Sequence, residues 1–238
     1  MALAIEPIGV IRSCYKEKFG IPRQAGLVET ARARIVLFPL FGRDELLKDL
    51  EQFSHIWVQF YFHGVSAEGW KATVRPPGLG GRRRVGVFAS RSPHRPNHIG
   101  LSAVRLLDID IREDGAHLLV AGGDFLDDSP VLDIKPYLVY SDCLADARSG
   151  YADTARSSMR VVFSEQAEEF CAAYYHAVQR DLRGLIIETL SEDPRPASQR
   201  SREKHFGMRL WDVNVRWLAQ HRIFTVMECH DLSAGVSI

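Results

Sequence analysis

The sequence has few cysteines and spaces them widely: Cys14, Cys143, Cys171 and Cys229 form no CxxC pair. That spacing excludes a zinc ribbon and a disulfide framework, and predicts reduced thiols. Long apolar runs are missing as well. No stretch approaches the ~18 apolar residues of a membrane-spanning helix, and the opening MALAIEPIGVIRS has no apolar core behind a basic start, so a soluble, cytoplasmic protein with no membrane partner is expected. Neither sign of charge is in excess: 30 basic residues balance 30 acidic ones, so the chain as a whole predicts no polyanionic partner. The glycine-rich phosphate motifs are also lacking. PPGLGGRRR satisfies neither GxGxxG nor GxxxxGKS/T and no helix follows it, which argues against a Rossmann or P-loop site. His94 and His98 stand four apart, as metal ligands on one helix face would, but Pro93 and Pro96 exclude a helix there, and no metal site is expected.

Local charge is distributed less evenly. Between Gly69 and Leu107 there is no Asp or Glu, while Lys71, Arg75, Arg82, Arg83, Arg84, Arg91, Arg95 and Arg105 all fall there. This electropositive block contains the densest chemical signal in the chain, VFASRSPHRPNHIGLS from Val87 to Ser102. Val85, Val87 and Phe88 predict the end of a strand, Ile99, Leu101 and Val104 resume an apolar pattern, and the prolines between them predict a stiff loop presenting Arg91, His94, Arg95, Asn97 and His98. Arg82, Arg83 and Arg84 are expected to form a basic flap able to touch phosphates, adding salt-dependent affinity without reading bases; Arg95 and Asn97 extend that set of candidate RNA contacts. A second cluster, GDFLDDSPVLDIKPY, concentrates Asp124, Asp127, Asp128 and Asp133. Its carboxylates suit ribose hydroxyls or an ammonium, or else plain turns that bond their own backbone. Asp133, Lys135 and Tyr137 alternate, so in a strand an acid, a base and a phenol share one face.

Taken in order, the chain predicts strands at Ile8 to Ile11, Arg34 to Phe38, Ile56 to Phe62, Arg84 to Ala89, Ser102 to Ile111, His117 to Ala121 and Val131 to Ile134, with one short helix over Asp44 to Gln52. The run Ile56 to Phe62 reads as a wholly buried strand ending at His63 and Gly64. A doubly wound sheet would need helices between these strands, and they are absent. The fold class is therefore mainly β: an N-terminal all-β, barrel-like domain over residues 1–142, a small-residue linker over 143–158, and a small C-terminal α+β domain over 159–238. In the last, Arg160 to Phe163 predicts a strand, Ser164 an N-cap, two helices follow, EDPRPA breaks the second, and GMRLWDVNVRWL reads as one alternating strand with Ile223 to Cys229 as hairpin partner. Arg195, Arg200, Arg202, Lys204 and His205 near its turn could hold a nucleic-acid backbone; the other reading is a packing domain with solvated charges.

IGVIRSCYKEKFGIPRQAGL, FSHIWVQFYFH, RVGVFASRSPHRPNHIGLS, SPVLDIKPY, EDPRPA and WDVNVRW, in this order, resemble the TrmO (TsaA-like) tRNA methyltransferases over nearly the whole chain. The resemblance implies a β-barrel that binds S-adenosylmethionine, methylation of N6 of N6-threonylcarbamoyladenosine beside the anticodon (position 37) of certain tRNAs, and a homodimer whose active site uses both subunits. It implies cofactor contacts at Gln24, Ala25, Gly26, His63, Gly64, Arg91, Leu101, Asp124, Phe125, Leu126 and Asp127. The chain departs from the family at four of the quoted positions: the family usually has Pro where Ala25 and His98 stand, Gln at Gly64 and Gly at Asp128.

Methyl transfer of this kind is an in-line displacement at a sulfonium, so the protein has mainly to orient two substrates and exclude water. The carbamoyl group withdraws electron density from the attacking nitrogen, and a base that takes its proton would help. Asp133 or Tyr137 is the candidate base, and Lys135 is a candidate for stabilising developing negative charge or gripping the threonyl carboxylate. Arg91 suits the methionine carboxylate or an RNA phosphate through its planar fork. The competing readings are a methyltransferase on another RNA base or a small molecule, and a non-catalytic nucleoside- or RNA-binding barrel.

Overall fold

Alternation along the third strand shows how the N-terminal unit closes. In the computed structural model, which describes residues 3–79, 83–152, 158–200 and 203–232, strand β3 (His55–Tyr61) buries Ile56, Val58 and Phe60 and leaves His55, Trp57, Gln59 and Tyr61 on the outer side. The aromatic run is therefore half-buried, with one face inward, and not the wholly buried strand that its composition predicts. β3 pairs on one side with β6 (Ile99–Arg112) and on the other with β8 (Ser129–Pro136). β8 continues to β1 (Gly9–Ser13), β1 to β2 (Arg32–Leu37), β2 to β7 (Gly115–Ala121), and β7 returns to β6, giving a closed barrel in the order β1-β2-β7-β6-β3-β8. Closure leaves no unpaired edge. Ile11, Ile35, Leu37, Ile56, Val58, Phe60, Val104, Leu118, Val120, Phe125 and Val131 fill it. Gly100 is required where β6 crosses Phe60, since a Cβ there would run into the Phe60 ring.

Several expected elements come out shorter. The segment Asp44 to Gln52 is a turn of helix α1 (Asp44–Leu47) and a separate 3-10 turn (Leu50–Gln52), divided at Asp49, whose φ of 66° no helix accommodates. After β3 the chain does not stop at His63; it enters the short helix α2 (His63–Ser66). Arg84 to Ala89 is not a strand throughout. Only β5 (Val85–Gly86) pairs, with β4 (Thr73–Val74), and Val87–Ala89 is a 3-10 turn that turns Phe88 outward, 83% exposed. Past β8, α3 (Val139–Asp142) ends the barrel unit.

The C-terminal unit is a four-stranded sheet, β10-β11-β12-β9, with β9 (Arg160–Phe163) running parallel to β12 (Ile223–Asp231). Helices α4 (Glu165–Val178) and α5 (Leu182–Ser191) accompany it. Ser164 caps α4 as expected, its hydroxyl oxygen accepting from the Ala167 N–H at 3.2 Å. GMRLWDVNVRWL is two strands and not one: β10 (Lys204–Leu210) and β11 (Val213–Gln220) meet at a tight turn on Trp211, φ 51°, and Asp212. The two units share a core. Cys14, Tyr15, Val28 and Ala31, from the segment between β1 and β2, are buried with Leu182, Leu185, Ile186, Trp217 and Phe224.

Candidate functional site

That β1–β2 segment carries both anchors and site. Its ends are fastened to the C-terminal unit: the Trp211 N–H donates to the Cys14 carbonyl at 2.7 Å, and the Thr30 N–H and hydroxyl both donate to Glu188 Oε2, at 2.9 and 3.0 Å. Between the anchors, Arg23 donates to the Asp193 carbonyl at 3.2 Å. The stretch Ile21 to Ala25 is thereby held over the outer face of the barrel, where it forms one wall of a cavity of about 600 Å³.

The opposite wall is the proline-stiffened loop. Ser90, Arg91, Pro93 and Arg95 line the cavity, followed by Ile99 to Ala103 as β6 begins. Arg95, expected nearer an RNA, is turned onto its own loop. Its guanidinium donates to the Ser90 carbonyl at 2.7 Å and the Ser92 carbonyl at 3.0 Å, so it braces the loop from inside. Asn97 is exposed at the tip. His98 is buried, its Nδ1 2.9 Å from the Pro93 carbonyl oxygen, and its φ is 49°. A proline, fixed near φ −65°, cannot take that conformation, so the loop ends on a different backbone from the one the usual family proline would impose.

The floor comes from β3, α2 and the turn before β8. His63 and Gly64 line it, with Leu126 and Asp124. Asp124 is the one carboxylate among the described lining residues. The Ser102 hydroxyl donates to its Oδ1 at 2.6 Å, and burial raises its pKa against the opposing effects of that bond and of the nearby Arg91 charge. Arg91 bridges the two walls by donating to Gln24 Oε1 at 2.5 Å. At Gly64 a Cβ would come 2.7 Å from the end of the Leu126 side chain, so the glycine in this chain is matched to a leucine leaning over it. Lys18 stands at the rim, paired with Glu68 at 2.9 Å, which holds the exposed Glu68 carboxyl below its ordinary pKa.

Of the expected cofactor contacts, Gln24, Ala25, His63, Gly64, Arg91, Leu101, Asp124 and Leu126 meet on this cavity, and three do not. Phe125 is fully buried inside the barrel, edge-on to Phe60 at 4.9 Å, and offers no surface. Asp127 is turned to the other side, 2.6 Å from Lys16 and accepting from the Ser13 N–H at 2.7 Å. Gly26 donates its N–H to the Gly122 carbonyl at 2.8 Å and serves as a turn, with φ 79°. Asp128 takes φ 63°, the left-handed backbone that the usual glycine would adopt freely, and pairs with Arg12.

The expected catalytic group lies one strand away. Asp133 and Lys135 form an exposed ion pair at 3.3 Å on the outer face of β8, and Tyr137 rests on Trp57, ring centroids 5.5 Å apart. In register, Lys135, Trp57 and Ala103 form one row across three strands, and Asp133, Gln59 and Leu101 the next, so Trp57 stands between Lys135 and the cavity, and Gln59 between Asp133 and the cavity-lining Leu101. Arg83 and Arg84 are exposed, Arg84 donating to Thr73 Oγ1 at 3.0 Å; Arg82 lies outside the described residues, as does Arg202. Arg195 is no RNA contact: it is 3% exposed, paired with Asp193 at 2.7 Å, and stacked over Phe224. The apolar lining was not anticipated. Ile21, Pro22, Phe62, Val65, Phe88 and Ile99 supply it, and the only signal for them was their proximity to the polar motifs.

Comparison with known proteins agrees with this architecture. Residues 10–143 match the tRNA-methyltransferase O N-terminal domain and residues 156–232 the TrmO C-terminal domain. The chain is similar to the tRNA (adenine(37)-N6)-methyltransferase of Escherichia coli (strain K12), at 43% identity over 89% of this chain and 91% of that one. It is also 45% identical to the enzyme of the same name from Eikenella corrodens over 69% of this chain and 90% of that one. A crystal structure of TrmO from Pseudomonas aeruginosa superposes with a TM-score of 0.80 at 39% identity, covering 97% of this chain and 99% of that one. With both domain models matched in order and relatives similar over most of their length, the chain belongs to the tRNA-methyltransferase O family.

Proposed function

We propose that this chain binds S-adenosylmethionine in the cavity between the Ile21 to Ala25 and Ser90 to Arg95 walls and methylates N6 of N6-threonylcarbamoyladenosine at position 37 of tRNA. The observation that carries the reading is the meeting of a half-buried carboxylate, Asp124, with the fork-shaped Arg91 in a cavity of about 600 Å³ whose lining is largely apolar but also includes Lys18, Arg23 and Arg95. A zwitterionic amino acid joined to a nucleoside needs that donor set. Arg91 would hold the carboxylate, Asp124 the ammonium or ribose hydroxyls, and the Phe62 and Phe88 faces favour a neighbouring sulfonium cation. S-adenosylmethionine, when bound, supplies an electrophilic methyl group.

The residues then have two tasks, orientation and proton removal. Gln24 fixes the Arg91 fork, and Ser102 fixes the Asp124 carboxylate. Asp133 and Lys135 face outward beside Trp57, on the side where Leu101, Val139 and Tyr140 leave apolar surface exposed, Tyr140 at 88%. We assign that surface to a second copy of the chain, so that the Asp133 and Lys135 of one subunit complete the acceptor site of the other. Asp133 takes the N6 proton and Lys135 neutralises charge on the carbamoyl oxygen or the threonyl carboxylate. Nucleoside mass spectrometry of tRNA incubated with protein and cofactor, with and without prior threonylcarbamoylation, tests the substrate. Methylation of the modified tRNA alone is expected; methylation of unmodified tRNA, or none, refutes it. Should Asp133→Asn and Lys135→Ala both retain single-turnover methylation, the catalytic assignment fails.

A further inference from the structure

A second concave surface lies on the other side of the Asp124 to Asp128 segment and shares no lining residue with the cofactor cavity. It is a cleft of about 360 Å³ where the outer face of β1 and β2 meets the β10–β11 turn. Six cations line it: Arg12, Lys16, Arg32, Arg34, Arg180 and Arg209. Among the described residues three carboxylates pair with these cations, Asp128 with Arg12, Asp127 with Lys16 at 2.6 Å and Asp212 with Arg180 at 3.6 Å, and a fourth, Glu17, accepts from the Arg209 backbone N–H at 3.0 Å. Six against four leaves an excess of two positive charges, and none of these four carboxylates forms an ion pair with the side chain of Arg32, Arg34 or Arg209.

Barrel folding alone does not call for this arrangement. Arg12 and Arg34 are direct cross-strand partners in the β1–β2 register, both on the outer face, and Arg32 follows two residues along on the same face. Like charges directly opposite one another across an antiparallel pair destabilise it. Arg209 comes from β10, and Arg180, from the turn after α4, lies over the Trp211 ring at 5.5 Å, so two units of the fold direct cations into one cleft. Ala33, Leu119 and Trp211 give the walls some apolar surface, but most of the side chains that line them are cations. They suit a chain of phosphodiesters, whose contacts position a nucleic acid without reading it.

We propose that this cleft holds the backbone of the tRNA, anchoring the molecule while its anticodon nucleotide reaches the cofactor cavity on the far side of the Asp124 to Asp128 segment. The proposal rests on the tRNA reading above. It locates the RNA-holding surface on β1, β2 and β10 instead of the arginine run at 82–84.

The test compares the wild-type chain with Arg32→Gln/Arg34→Gln/Arg209→Gln and with Arg34→Gln alone. It measures tRNA affinity by filter binding from 50 to 200 mM salt, cofactor affinity by calorimetry, and thermal melting. Loss of three phosphate contacts is expected to weaken tRNA binding by at least about tenfold and to lower the slope of log K against log salt by about 2 to 3. Cofactor affinity should be unchanged. Melting of Arg34→Gln should hold or rise, because a like-charge pair is relieved; a purely structural arginine would give a fall. If wild type binds tRNA and the triple variant keeps the same affinity and slope, the cleft is not the RNA surface and the tRNA reading stands. If wild type does not bind tRNA, the tRNA reading fails, and this proposal with it.

Discussion

Glu188 is the sharpest probe of what the C-terminal unit does for the site. It sits on α5, far in sequence from the cofactor cavity, yet its Oε2 accepts both the N–H and the hydroxyl of Thr30, at 2.9 and 3.0 Å, closing the segment that supplies Ile21 to Ala25. Glu188→Ala leaves both donors without their carboxylate. A hydrogen bond to a charged acceptor contributes about 1.5–3 kcal/mol, but the pair is only partly buried and water can take up one donor, so a net loss of about 2 kcal/mol is expected. For a chain of this size that lowers the melting temperature by about 4–8 °C. If about half of that loss falls on ordering the segment before ligand binds, cofactor affinity drops roughly fivefold, since 1.4 kcal/mol is about a factor of ten. Glu188→Gln keeps a carbonyl acceptor and should lose about half as much on both measures. Differential scanning calorimetry and isothermal titration with S-adenosylmethionine read the two effects. A melting point within 1 °C of wild type, or a lower one with unchanged cofactor affinity, would refute the view that α5 positions the cavity wall.

Asp124 gives a pH-dependent outcome. Burial raises its folded pKa above the unfolded value, so the folded state binds more protons between those two values and loses stability as pH rises from the ordinary carboxylate range through the raised one. Asp124→Asn should therefore stabilise the chain above that range and not below it, while cofactor affinity falls at all pH values; equal melting shifts at pH 4 and pH 8 would count against it. Arg195→Ala leaves the buried Asp193 carboxylate with the longer Arg200 contact at 3.5 Å as its ion pair and should cost about 3 kcal/mol in urea unfolding, whereas Arg183→Ala, removing an exposed partner of Glu168, should cost no more than about 1. Gly100→Ala pushes a methyl group into the Phe60 ring, which already packs edge-on against Phe62 and Phe125; a loss of about 1–3 kcal/mol or more is expected, and a wild-type melting curve would show that the strand can shift.

What could be read from the chain, and what could not, divides along physical lines. Strand identity is local, and the aromatic and β-branched run of β3 or the apolar resumption at Ile99 marks it well, although the run hid which face of β3 is buried. Closure is not local: β8 meets both β1 and β3 through registers that no single segment specifies. The tight turn at Trp211 was missed because the alternation seemed to run through it. Yet Met208 and Leu210 point inward on one side, and Val213, Val215 and Trp217 on the other, so the inward phase slips by one residue at Trp211 and Asp212. That slip is what a two-residue hairpin leaves behind, because Leu210 and Val213 pair directly and share a face. The left-handed Trp211 completes the signal only once its conformation is known.

Charge counted along the chain likewise does not show how each cation is paired. The run from Gly69 to Leu107 holds eight cations and no acid, and it drew attention to Arg95 and to the arginines at 82–84. In the fold Arg95 spends its donors on the carbonyls of Ser90 and Ser92, so its charge stiffens the loop, and Arg84 reaches back to Thr73. The cations of the second cleft come from five separate places, β1, the turn after it, β2, the turn after α4, and β10, none of which forms a basic run. A phosphate backbone responds to the summed field of a surface, which depends on which strands are neighbours and which cations are already paired. On the proposal above, the register that sets Arg12 opposite Arg34 is what assembles the cleft, and it follows from the same β1–β2 pairing that closes the barrel.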